Sequence, residues 1–280
     1  MKTLLVTPGW LAERLGDPSV RIVDASWYLP AQKRDPKAEF LAGHIPGAVH
    51  FDIDAIADKA TSLPHMLPDE KEFAAAAGAL GLSADKRIIV YDGAGLFAAP
   101  RVWWTLSVFG AKDVRILDGG LPAWKREGHP LETGDARPSP AIFEAHLDAD
   151  RVRDFQAVAS VLTEDSACVV DARSSGRFAG TAPEPRPGLP SGHMPGARNL
   201  PFDRLLDADG RIAEPHAIRK AFADAGVDLD LPVVTTCGSG VTAAILVFGL
   251  ALIGKDDVAL YDGSWTEWAQ RDDAPIVTDR

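Results

Sequence analysis

Residues 233–244 read VVTTCGSGVTAA, an apolar β-type run followed by a cysteine in a glycine-spaced loop and then by a helical run. Val233 and Val234 read as the end of a buried strand, and Val241 through Ile253 as a buried helix too short to cross a membrane. Between them, Cys237, Gly238, Ser239 and Gly240 must turn sharply. The two glycines let backbone N–H groups converge, and converging N–H groups at a helix N-terminus make an anion site. The same field favours a thiolate over a thiol, which places Cys237 to act as a nucleophile. The competing assignment is a packing residue at a strand end, where free cysteines are common. Cys168, in the strand-like run Ala167 to Val170, fits that assignment and is expected in the core. Cys237 does not, because packing needs no glycines on its C-terminal side.

The elements that must hold such a loop are written twice. Thr7 to Ser26 aligns without gaps on Asp154 to Arg173, each copy opening with a Thr or Asp N-cap and closing on Val-Asp-Ala. GHIPGA at 43–48 matches GHMPGA at 192–197, and LDGGLPAW at 117–124 matches YDGSWTEW at 261–268. RIIVYDGAGLFAA at 87–99 matches the Cys237 region, with Asp92 in the cysteine's place. Short β-runs alternate with helical stretches such as 69–80 and 215–225, the pattern of a mainly parallel sheet covered by helices. The expected architecture is α/β, with two tandem domains at 1–130 and 150–280 joined by a Pro-containing linker at 131–149.

Composition narrows the function classes. The chain has 280 residues, 46% hydrophobic and 25% charged, with a net charge of −11. That balance favours neither nucleic acid nor an anionic membrane surface, so an anionic substrate needs a local basic cluster. Two distant cysteines make no disulfide framework and no CxxC metal pattern, which suits a reducing compartment. MKTLLVTPGW has only a short apolar run before Pro8 and Gly9 and does not read as a signal peptide, so a cytoplasmic protein is expected. With no metal-ligand spacing and no dinucleotide glycine fingerprint, the chemistry is expected to run without a cofactor.

The paired GH-(I/M)-PGA motifs, the duplicated α/β organisation and the cysteine loop together resemble the rhodanese superfamily of sulfurtransferases, over essentially the whole chain. CGSGVT is the more specific part and resembles the active-site loop of the 3-mercaptopyruvate sulfurtransferases. The thiosulfate enzymes of the superfamily carry Arg and Lys where this loop has Gly238 and Ser239. The loop is also shorter than that of the related phosphatases, which suits attack on sulfur. The resemblance implies transfer of sulfur from 3-mercaptopyruvate through a Cys237 persulfide to a thiol or thioredoxin-like acceptor, with release of pyruvate.

It also implies site residues. Arg177 and Arg186, in GRFAGTAPEPR, match the arginines that bind the substrate carboxylate, a task suited to the fixed fork of a guanidinium. Gly238, Gly240, Val241 and Thr242 complete the substrate-binding loop. Ser239 matches the serine of a Ser-His-Asp relay whose other members, His65 in SLPHMLP and Asp54 in FDID, come from the first copy. The relay is therefore expected to be divided between the copies. Arg173 is expected to pair structurally with a nearby acid, and His44 and His193 to serve turn architecture. Three readings compete: a mercaptopyruvate enzyme, a thiosulfate sulfurtransferase, and a non-catalytic persulfide carrier. A carrier needs neither a carboxylate clamp nor a relay.

Overall fold

The structure, a computed structural model, describes residues 3–279. The chain forms two compact units, each built on a five-stranded sheet. In the first, β1 (Leu5–Val6), β2 (Val20–Asp24), β3 (Ala48–His50), β4 (Arg87–Tyr91) and β5 (Asp113–Leu117) run in the order β1-β5-β4-β2-β3. In the second, β6 (Val152–Arg153), β7 (Cys168–Asp171), β8 (Arg198–Asn199), β9 (Val233–Thr236) and β10 (Val258–Tyr261) repeat it as β6-β10-β9-β7-β8. Every pairing is parallel. Strands covered on both faces read as continuous apolar runs rather than alternating ones, as RIIVY and VALY do.

The helices of the first unit are α1 (Pro8–Ala12), α2 (Pro36–Ala42), α3 (Glu70–Ala79), α4 (Ala99–Val108) and α5 (Gly120–Arg126). Those of the second are α6 (Phe155–Glu164), α7 (Ser175–Phe178), α8 (Pro215–Asp224), α9 (Ala243–Leu252) and α10 (Ser264–Trp268). Local chemistry explains their starts. Thr7 and Asp154 cap α1 and α6 by accepting from Trp10 N at 3.2 Å and Ala157 N at 2.9 Å. Helix α9 begins two residues later than the apolar run suggests, because Val241 and Thr242 finish the loop's turn before helical geometry sets in. Its sequence AAILVFGLAL is apolar on every face, and residues 243–250 are all buried.

Three expectations need correction. The stretch expected as a linker belongs, as far as Asp148, to the first unit. Its backbone donates to the ends of α3 and α4, from Ala141 N to Gly78 O at 2.9 Å and from Asp148 N to Val108 O at 2.8 Å. Phe143 is buried and meets Phe73 edge-on at 5.3 Å. The units also do not follow the chain strictly: Lys59–Met66 belongs to the second and Ala208–Ile212 to the first. Cys168, expected in the core, is half-buried, since it opens β7 rather than sitting within it.

The two histidines of the PGA motifs do identical structural work. Nδ1 of His44 lies 2.8 Å from Phe40 O, and the ring stacks on Phe40 at 3.9 Å. Nδ1 of His193 lies 2.9 Å from Phe178 O, with stacking on Phe178 at 3.8 Å. Among the described residues no helix is long and apolar enough to cross a membrane.

Candidate active site

The loop carrying Cys237 leaves the carboxyl end of β9, which β10 and β7 flank. In open parallel sheets that edge is where ligands bind, because the loops diverge there and helix N-termini point at it. Cys237 is buried, with 2% of its surface exposed. Its N–H points to Ser264 Oγ at 3.4 Å, and its carbonyl accepts from Trp265 N at 2.9 Å. The next carbonyl, of Gly238, accepts from both the N–H and the hydroxyl of Thr266, at 3.0 and 2.6 Å. The opening turn of α10 thus fixes the loop from below. Ser264 is fully buried at φ +52°, a conformation that non-glycine residues adopt only where the surroundings impose it. Gly240 sits at φ +78°, which explains the second glycine of the motif.

The space above Gly238 explains the first. A Cβ there would lie 3.0 Å from Nη2 of Arg177 and 3.9 Å from Nη1 of Arg186. Both guanidiniums therefore converge on the backbone next to the cysteine, although one comes from α7 and the other from the proline-rich segment after it. Arg186 also donates from Nη2 to Ser239 Oγ at 3.3 Å.

His65 comes from the segment Lys59–Met66 and is buried in the second unit, with 6% of its surface exposed. Its Nδ1 lies 3.1 Å from Ser239 Oγ and 3.3 Å from Ser239 O, across 174 positions of chain. The unprotonated nitrogen accepts from the hydroxyl, whereas Nδ1–H donates to the carbonyl, so the tautomer decides which contact forms. His65 itself has φ +64°. His65 is thus a buried histidine in left-handed backbone, aimed at the residue two places after the cysteine.

Asp54 belongs to the first unit, where its Oδ2 accepts from Trp27 Nε1 at 2.8 Å. Val241 is buried, and Thr242 precedes α9 without a side-chain capping bond. Arg173, expected to pair with an acid, is fully buried, donates to Asp171 from Nε and Nη2 and lies 4.1 Å over the Trp265 ring. Burial opposes its charge, but the carboxylates of Asp171 and Glu184 outweigh that and push its pKa upward. Glu184, Ser264 and Thr266 were not singled out by sequence reasoning. The signals were there: a lone acid between two arginines, and polar residues in YDGSWTEW where LDGGLPAW has Gly120 and Pro122. Among the described residues no cluster of His, Cys, Asp and Glu could hold a metal ion.

Comparison with known families agrees with this architecture. The family model for the rhodanese-like domain matches residues 7–127 and again 154–271. The chain belongs to the rhodanese family, as a tandem pair of its domains. It is 45% identical to the 3-mercaptopyruvate sulfurtransferase of Homo sapiens over 273 residues, covering 95% of this chain and 92% of that one. The thiosulfate sulfurtransferase of Bos taurus is also 45% identical, with the same shares covered. Among solved structures, SseA from Escherichia coli, described as a 3-mercaptopyruvate sulfotransferase of rhodanese fold, superposes with a TM-score of 0.88. It shares 41% of its sequence with this chain, and the match covers 94% of this chain and 99% of SseA.

Proposed function

We propose that this protein is a sulfurtransferase that takes sulfur from 3-mercaptopyruvate and passes it through a Cys237 persulfide to a thiol or thioredoxin-like acceptor. The observation that carries the substrate is the pair Arg177 and Arg186 converging above Gly238, beside a loop with no charged side chain of its own. Two guanidiniums suit a carboxylate, and the uncharged loop leaves room for a neutral keto group and its sulfur.

The Cys237 thiolate attacks the substrate sulfur, an S–S bond forms, and the carbon–sulfur bond breaks with its electron pair leaving on pyruvate enolate. Ser239 and His65, in contact with each other, handle the proton that converts enolate to pyruvate. An acceptor thiolate then attacks the outer sulfur and returns Cys237 as thiolate. Division into two displacements is what covalent catalysis contributes. We expect a reducing, cytoplasmic setting, in which both cysteines stay free thiols.

Thiosulfate is the second reading, favoured by the 45% identity to the bovine thiosulfate sulfurtransferase. The test is kcat/KM for 3-mercaptopyruvate and thiosulfate with one common acceptor. A higher value for mercaptopyruvate is expected, and a higher value for thiosulfate would replace this reading with the second. Mass spectrometry after substrate treatment should place one added sulfur on the Cys237 peptide.

A further inference from the structure

One buried charge in the second unit has no part in that chemistry. The Glu184 side chain is 2% exposed and bridges two arginines. Its Oε1 accepts from Arg173 Nη1 at 2.7 Å, and its Oε2 from Arg177 Nε at 3.1 Å and Nη2 at 2.5 Å. Arg173 is anchored in turn by Asp171 and by Gly192 O, which accepts from Nη2 at 2.7 Å. The line Asp171, Arg173, Glu184, Arg177 therefore runs from the end of β7 to the loop beside Cys237, each member fixed by the one before it.

Two consequences follow for Arg177. Its Nη2 is the atom nearest the vacant Cβ position of Gly238, and that same nitrogen is held by Glu184. The carboxylate thus sets where the guanidinium points. It also sets the charge of the cluster. Between Arg173 and Arg177 the Glu184 carboxylate offsets one positive charge, and without it the clamp beside Cys237 would carry one positive charge more, a change that favours a dianion. A buried charge cannot be screened away as a surface charge is.

We propose that Glu184 is a positioning and specificity-determining residue: by tying Arg177 to Arg173 it tunes the clamp to monoanionic carboxylates over dianionic oxyanions. This rests on the mercaptopyruvate reading for the identity of the preferred substrate, but its test depends only on how a ratio changes. Glu184→Gln and Glu184→Asp are made in the full-length chain. Thermal midpoints are recorded, and kcat and KM are measured for 3-mercaptopyruvate and thiosulfate with one acceptor.

For Glu184→Gln the ratio of the two kcat/KM values should move about tenfold towards thiosulfate, the size expected of one uncompensated charge near the substrate. Most of the change should lie in KM for mercaptopyruvate. Glu184→Asp keeps the charge but shortens the reach, so it should raise KM while leaving the ratio within about twofold of the parent. Equal losses for both substrates in Glu184→Gln, with the ratio unmoved, would overturn the proposal and make Glu184 a structural residue. If Glu184→Gln does not fold, Glu184→Asp decides: an unchanged KM with an intact thermal midpoint overturns it. A parent enzyme that itself prefers thiosulfate refutes the mercaptopyruvate reading, while the ratio shift still reports on Glu184.

Discussion

Asp92 and Cys237 occupy the same position of the same loop in the two units, yet the loops end in opposite states. In the first unit Asp92 fills its own loop. Its Oδ1 accepts from Ala94 N at 2.9 Å, and its Oδ2 accepts from Phe97, Ala98 and Ala99 N at 2.7, 2.9 and 2.8 Å. The anion site is occupied from within. Above it, the Tyr28 hydroxyl takes the space that a side chain at position 93 would need. That hydroxyl donates to Glu39 at 2.7 Å, and burial, with help from Glu39, raises its pKa so that it stays protonated. Arg34 donates to Glu39 and to Tyr28. In the second unit a single sulfur stands where the two oxygens are, and two guanidiniums stand where the tyrosine is. The lesson is that one backbone holds either a loop filled by its own carboxylate or a buried cysteine beside two guanidiniums, according to the side chain placed in it.

The sharpest test of that contrast is the nucleophile itself. Cys237→Ser should abolish sulfur transfer, while Cys168→Ser should leave it largely intact, both read as product formed per enzyme. Adding Asp92→Cys to Cys237→Ser should not restore turnover, because among the described residues the hydroxyls of Tyr28 and Ser26, not two guanidiniums, lie nearest position 93. Recovery of activity in that double variant would show that the surroundings matter less than the loop.

The next largest effect is expected at His65. His65→Ala should lower kcat for mercaptopyruvate by about 10²–10⁴, the range for loss of a general acid or base. Circular dichroism should show a folded chain. A kcat within about threefold of the parent, well below that range, would remove His65 from the chemistry and leave its left-handed backbone as a purely structural feature.

Asp92 should behave in the reverse manner. Asp92→Ala leaves four N–H groups, two of them buried, without their acceptor. At about 1–3 kcal/mol per unsatisfied group before relaxation, a loss near ~3 kcal/mol is expected. Denaturant unfolding of the full-length chain measures it, and kcat under native conditions should stay close to that of the parent. A large fall in kcat with unchanged stability would mean that the first loop is not merely structural.

The smallest effect is expected at Gly238. An alanine Cβ would meet Arg177 Nη2 at 3.0 Å, and the far end of that side chain can give way by a few tenths of an ångström. Gly238→Ala should raise KM for mercaptopyruvate about threefold to tenfold, near ~1 kcal/mol, with kcat little changed. A fall in kcat with constant KM would mean that the glycine serves the loop's backbone rather than the arginines.

Much of this was legible in residues 233–244 and in the duplication, because both are local patterns. A Gly-spaced cysteine between an apolar strand and an apolar helix requires a tight turn at a helix N-terminus, whatever the rest of the chain does. A gapless repeat requires two copies of one sheet, and the identical strand orders follow from it. Even the asymmetry of the copies was readable, since Asp92 replaces the cysteine in plain sight.

What the chain's pattern could not contain is convergence. Arg177 lies on α7 and Arg186 on the proline-rich stretch after it, which reads like a solvated loop, and only the fold brings both guanidiniums to Gly238. His65 is 174 positions from Ser239, and the backbone that delivers it is left-handed, a state that no periodicity announces. The run 131–148 reads as a linker because Pro and polar residues dominate it; its hydrogen bonds to α3 and α4 make it part of the first unit. Glu184 looks like one more surface acid until it is buried between Arg173 and Arg177. Sequence determined which residues could react, because side-chain type and local turn geometry are short-range properties. Tertiary structure decided which charges face one another, because that depends on where distant segments are buried and on the low-dielectric surroundings that make their pairing count.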